Sequence, residues 1–136
     1  MRNVIISVMM LVPAAVGFPR ESRANGDVAT GKQQFETRCS GCHSIAAGIV
    51  KTGPTMFGID GRKAGTAEKY RYSQAYLDAA QKGLHWDQQM LFDYLFDPVQ
   101  FLKRFLEADT VRTKMVSTYK DPALRENIIA YLKTLK

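Results

Sequence analysis

The chain is poor in the residues of soft-metal and disulfide chemistry. Its 136 residues include two cysteines and two histidines. A Cys-rich zinc site, which wants four protein ligands, is therefore badly supplied. A disulfide scaffold is excluded on count alone. Nor is there a run of basic residues: lysines and arginines are scattered, so the footprint of a nucleic-acid binder is missing. No internal repeat and no low-complexity tract divides the chain, and its length supports one domain. Beyond residue 18 it has no long hydrophobic run.

The one such run stands at the start. Residues 4–18 are apolar except for Ser7, Pro13 and Gly17, and a single basic residue, Arg2, precedes them. Ser22, Arg23 and Ala24 then put small residues at the two positions a signal peptidase reads. This pattern predicts a secretory signal peptide over 1–24 and a mature domain over 25–136. An uncleaved anchor is the competing reading. The run is short against a bilayer span of ~20 residues, and Pro13 interrupts it. Loss of Arg2, Arg20, Arg23 and Glu21 would take the formal charge from +6 to +4. A modest positive excess of this kind suits approach to acidic protein surfaces.

The two cysteines stand together, in Cys39-Ser40-Gly41-Cys42-His43. Two thiols three residues apart with a histidine directly after the second form the attachment signature of a c-type haem. Each thiol can add across one vinyl group, and the imidazole can bind the iron. If the segment is helical, Cys39, Cys42 and His43 share a face and can meet one flat object. A redox dithiol and half a zinc site are the alternatives. The first lacks strand–helix alternation around it, and the second has only His85 to add.

The remaining pattern is helical. Asp27 predicts an N-cap, with Val28, Gly31 and Phe35 on one face of a helix running into Cys39. Gly31 on that face would let another helix approach closely. Glycines punctuate residues 44–72 too often for a helix or long strand. Ser73 predicts the cap of a short helix with Ala75, Tyr76, Ala79 and Ala80 inward, ended by Gly83. Asp87 caps another, with Met90, Leu91, Tyr94 and Leu95 as its apolar face. Asp97 and Pro98 stop it and start a further apolar segment. Residues 107–120 read as irregular. Asp121 and Pro122 open a last helix, whose stripe is Leu124, Ile128, Tyr131, Leu132 and Leu135. The expected fold class is all-α, four or five helices around one cofactor, with the first and last helices crossing.

A second iron ligand must come from elsewhere. Met56, Met90, Met115 and His85 are the candidates, and Met115, in a loop far from His43, is the best placed. The Pro54 carbonyl can accept the proton on the other ring nitrogen of His43; a plain turn explains the same residue equally well.

These motifs together resemble a class I cytochrome c of the mitochondrial and alphaproteobacterial type, over about residues 27–136. The segments carrying the resemblance are Gly31 and Phe35 before the haem motif, Gly53-Pro54-Thr55, Gly61-Arg62-Lys63-Ala64-Gly65, Tyr70 and Tyr72, Gly83-Leu84-His85-Trp86, Tyr94 to Pro98, Thr113-Lys114-Met115 and Ile129-Ala130-Tyr131-Leu132-Lys133. The resemblance implies one covalent haem c on Cys39 and Cys42, with His43 and Met115 on the iron. It implies Pro54 as acceptor for His43, Tyr94 as a donor to the Met115 sulfur, and Arg62, Tyr72 and Trp86 as propionate partners. Short family members have Pro-Gly before Thr-Lys-Met. Here Val111 and Arg112 stand there, and extra residues at roughly 99–110 predict an added helical turn or two.

The function implied is a soluble, monomeric, periplasmic carrier of single electrons and not an enzyme. Its donor would be a quinol–cytochrome c reductase. Its acceptor would be a terminal oxidase, a photosynthetic reaction centre or a periplasmic reductase. Lys51, Lys114, Lys32 and Lys103 are the candidates for docking around the haem edge. The alternative is a small-ligand haem protein, a gas sensor or minor peroxidase, with a labile distal methionine.

Overall fold

The computed structural model describes residues 26–136; the predicted signal peptide lies outside them. Five helices follow in order: α1 (Val28–Arg38), α2 (Gln74–Gln81), α3 (Gln88–Phe96), α4 (Pro98–Leu106) and α5 (Pro122–Leu132). Four begin as their sequence predicts. The side chains of Asp27, Asp87, Asp97 and Asp121 each accept a hydrogen bond from a first-turn N–H, at 2.6 to 3.0 Å. Such caps satisfy donors that a helix leaves orphaned at its start. Ser73 stands at the N-cap of α2 but makes no capping bond with its side chain. Pro98 and Pro122 occupy the first turns of α4 and α5, where proline loses nothing by lacking an N–H.

The first and last helices cross with their backbones in contact. A Cβ on Gly31 would stand 1.9 Å from the carbonyl oxygen of Asn127, so only glycine fits there. The Asp27 N–H donates to Asn127 Oδ1 at 2.8 Å, and the Phe35 and Tyr131 rings meet at 5.7 Å. Val28, expected on the buried face, is 44% exposed: at this end of α1 the contact with α5 is made by Gly26 and Asp27 instead. Leu135 falls past the end of α5 and is half-buried, its carbonyl accepting from Gly58 N at 2.6 Å.

Among the described residues no strand forms. Residues 61–64 and 84–86 nevertheless pair through Gly61 N to Trp86 O, Trp86 N to Arg62 O and Ala64 N to Leu84 O, at 2.7 to 2.9 Å. This short pairing holds Trp86 and Leu84 in the centre of the core, almost fully buried. The extra residues form α4, which packs on α2 and α3 through Phe101 and Leu102. Glu107 ends it in the left-handed conformation, φ 55°.

Candidate functional site

α1 ends where the haem motif begins, and the chain continues for one more turn. Cys42 N and His43 N both donate to Cys39 O, at 3.1 and 2.9 Å. That turn puts Cys39, Cys42 and His43 along one wall of a cavity of about 510 Å³. The loop that follows is laced back to it. Gly53 N donates to Cys42 O at 2.7 Å, and Lys51 Nζ to Ser40 O at 2.6 Å.

His43 is oriented by this loop. Its Nδ1–H donates to Pro54 O at 2.9 Å, which leaves the lone pair on Nε2. Burial pushes its pKa down, partly offset by that bond, so the neutral, ligating form is favoured. Gly53 lies against the ring: a Cβ there would stand 2.4 Å from Cε1 and 2.7 Å from Nδ1. Burial pushes the Cys39 thiol up to about 11. A redox Cys-x-x-Cys pair needs the opposite shift, toward thiolate. Among the described residues no further His, Cys, Asp or Glu gathers with these to make a metal cluster.

The rest of the lining comes from distant segments. Leu91, Tyr94 and Leu95 of α3 and Ile128 and Leu132 of α5 supply apolar surface. Met115 and Met56 are the methionines that reach the cavity; Met90 packs against the core instead. His85 is exposed, with Nδ1 2.9 Å from Gly83 O, and does not reach it. Two thiols, an imidazole nitrogen and thioether sulfurs on one largely apolar cavity are a donor set that fits an iron porphyrin.

A cytochrome c family model matches residues 28–136. The chain belongs to the cytochrome c family. It is 42% identical over 112 residues to cytochrome c-550 of Novispirillum itersonii, covering 82% of this chain and all of that one. It is 40% identical over 116 residues to a cytochrome c2 of Rhodopseudomonas palustris, covering 81% and 99%. Its fold is similar to that of cytochrome c2 from Rhodospirillum centenum, with a TM-score of 0.76 at 35% identity, over 81% of this chain and 98% of that structure. As a member of this family the chain is an electron-transfer protein with one covalently attached haem c.

In this cytochrome c the aromatic residues picked out from the sequence converge. Tyr72, Trp86 and Tyr94 all line the cavity. Trp86 and Tyr94 meet edge to face at 5.0 Å. The hydroxyl of Tyr72 accepts from Ala67 N at 3.2 Å. Arg62 stays outside the lining: its guanidinium donates to Phe57 O and Thr55 O at 2.9 and 3.0 Å, with its charge in reach of Tyr72 and Tyr76. Tyr94, buried enough to raise its pKa strongly, pairs its hydroxyl with the side chain of Thr113, two residues before Met115.

Two cavity residues carried no signal for a role at the site. Tyr76 faced inward by helical period, but nothing marked it as the ring that stacks on Tyr72 at 4.9 Å and hydrogen-bonds Trp86. Tyr119, in the irregular stretch, lies beside Cys39. Of the lysines, Lys114 lines the cavity and donates to Arg71 O. Lys32 faces Glu36 at 3.9 Å on the wet side of α1, and Lys103 sits on α4.

Proposed function

We propose that this cytochrome c is a soluble periplasmic carrier of single electrons, exported by a signal peptide over 1–24 that is then removed. It is not an enzyme. The observation that carries the reading is the single cavity onto which Cys39, Cys42, His43 and Met115 all open. Cys39 and Cys42 would hold the haem as thioethers, and His43 Nε2 and the Met115 sulfur would bind its iron. When bound, the haem supplies an iron that cycles between the ferrous and ferric states.

The chain's part is to keep that site closed and unchanged between states. Pro54 holds the proton on His43 Nδ1, so the ring neither rotates nor changes tautomer. Tyr94, fixed through Thr113, stands as a donor for the Met115 sulfur. Tyr72, Trp86 and Arg62 are the propionate partners, since an unpaired buried carboxylate is costly. No helix among the described residues is long and apolar enough to cross a membrane. Lys51 and Lys114, near the attachment turn and the methionine, offer positive charge to acidic rims on partners. The donor is a quinol–cytochrome c reductase. The acceptor is a terminal oxidase, a reaction centre or a periplasmic reductase.

The test is the absorption spectrum of the holoprotein, oxidised, then reduced with carbon monoxide added. A weak far-red iron–sulfur band in the oxidised form and indifference to carbon monoxide are expected. Absence of the band with ready carbon monoxide binding would replace this reading with a small-ligand haem protein.

A further inference from the structure

On the near side of Met115 the stretch is tied by two side chains, Thr113 to the Tyr94 hydroxyl and Lys114 Nζ to Arg71 O; its backbone has little of its own to hold it in place. Residues 99–121 contain neither proline nor glycine, so no ring-locked φ stiffens the backbone. Among the described residues, no backbone–backbone hydrogen bond is made by residues 109–118. Val116 is 66% exposed. Four residues after Met115, this changes.

Every polar group of Tyr119 is bonded, each to a different helix. Its N–H donates to Leu95 O of α3 at 2.9 Å. Its carbonyl accepts from Arg125 Nη1 of α5 at 3.0 Å. Its hydroxyl donates to Arg38 O, the last residue of α1, at 3.3 Å. Its ring is partly buried against the core, beside Cys39. Arg125 is itself held, 5% exposed with its guanidinium 4.0 Å from the centroid of the Phe92 ring. The next residue repeats the arrangement. Lys120 Nζ donates to Phe96 O at 3.0 Å, lies 3.6 Å from the Asp97 carboxylate and sits 3.7 Å over the Phe96 ring.

From this geometry we propose that Tyr119 is the clasp that closes the methionine loop: a positioning residue that keeps Met115 at the iron by fastening the loop's return limb to α1, α3 and α5. Local opening is governed by what a segment is tied to. A span with no backbone bonds of its own opens at the cost of its anchors, and Tyr119 is the first anchor after Met115. Because the hydroxyl lies within hydrogen-bonding reach of the Cys39 thiol, the same side chain fastens the loop beside one of the two cysteines of the haem motif. The inference rests on Met115 as the iron ligand.

The experiment compares the holoprotein with Tyr119→Ala and Tyr119→Phe. The readouts are hydrogen exchange of amides 111–118, the pH at which the ferric iron–sulfur band is half lost, and carbon monoxide binding by the ferrous form. Tyr119→Ala is expected to lower the half-loss pH by about one unit, to speed exchange across 111–118 and to raise carbon monoxide affinity about ten-fold. Tyr119→Phe keeps the ring and the backbone bonds to Leu95 and Arg125 and gives up the hydroxyl's contacts with Arg38 O, Cys39 and Ser117, so it is expected to restore most of the parent behaviour. Parent-like exchange and parent-like carbon monoxide binding in Tyr119→Ala overturn the proposal. Should that variant not fold, Tyr119→Leu keeps an apolar body and carries the same comparison with the same overturning result. A parent protein without the band would sink Met115 as ligand, a failure distinct from that of the clasp.

Discussion

At the scale of single residues, the orientation of His43 decides what this site can hold. A histidine after Cys-x-x-Cys is only a candidate ligand until something fixes its ring, and here Pro54 O and Gly53 do so from one side. Gly53→Ala puts a methyl group 2.4 Å from His43 Cε1. The ring must tilt away and the bond to Pro54 must bend. Overpacking of this kind costs about 1–3 kcal/mol. We expect a lower melting temperature and faster exchange of the Nδ1 proton in the NMR spectrum, while Gly48→Ala, with no heavy atom within 4 Å of its Cβ, leaves that proton unaffected.

The phenols beside the cavity make a second statement at this scale. Burial holds the pKa values of Tyr72 and Tyr76 above the usual value for tyrosine. A group whose folded pKa is raised contributes stability that is complete below its unfolded pKa and is lost as pH rises through the folded one. The fall therefore begins near pH ~10, where free tyrosine ionises. Denaturant unfolding of the holoprotein between about pH 8 and about pH 11 should show stability declining only in the upper part of that range. Tyr76→Phe should remove part of that decline, since Tyr76 is the more deeply buried of the two.

At the scale of elements, the α1–α5 crossing fixes where the haem motif starts. Gly31→Ala gains helix propensity of about 1 kcal/mol. Against that, its Cβ would lie 1.9 Å from Asn127 O and 2.6 Å from Asn127 C, atoms of a helix backbone that cannot swing aside. The clash wins, and the two helices must separate. We expect a net loss of about 2 kcal/mol, a fall of roughly 5–10 °C in melting temperature. An unchanged melt would mean that the crossing is looser than the backbone contact implies.

The same elements show what could be read beforehand. Four helix starts were legible because an aspartate cap acts within three residues of itself. The helical period carried the faces of α3 and α5, and the Cys39-to-His43 turn was legible for the same local reason. Val28 fitted its stripe and is still exposed, because a stripe does not say where a neighbouring helix makes contact, whereas Leu135 packs against the core from beyond the end of α5. Tyr119 was illegible for a stronger reason. Its partners Arg38, Leu95 and Arg125 lie in three separate helices, and no spacing along the chain encodes that meeting. The site followed the same division: Pro54 could be proposed from a nearby turn, while the stacking of Tyr76 on Tyr72 required the fold.

At the scale of the whole molecule, the question is whether the polypeptide has a core without its cofactor. Four of the five short helices, α1, α2, α3 and α5, contribute to a cavity of about 510 Å³ lined by Leu91, Leu95, Ile128, Leu132 and several aromatic rings. Without the cofactor these apolar side chains lose the group they pack on, and each large one that is left unburied forgoes about 1.5–3 kcal/mol. The whole net stability of a domain is about 5–15 kcal/mol. The apoprotein can collapse or admit water, and either path gives up the apolar walls that α3 and α5 build around the cavity. Cys39→Ala with Cys42→Ala removes both thiols of the haem motif, leaving a haem to depend on the proposed iron ligands His43 and Met115. We therefore expect this double variant, freed of haem, to be largely unfolded, with weak far-ultraviolet circular dichroism and no sharp thermal transition. The helices themselves are too short to persist alone in water, so residual helicity near the native value would require packing that does not need the haem. A cooperative, native-like melt would locate the core outside the cavity, in the contacts of Leu84, Phe101 and Leu102, and would make the cofactor a guest of the fold and not part of its interior.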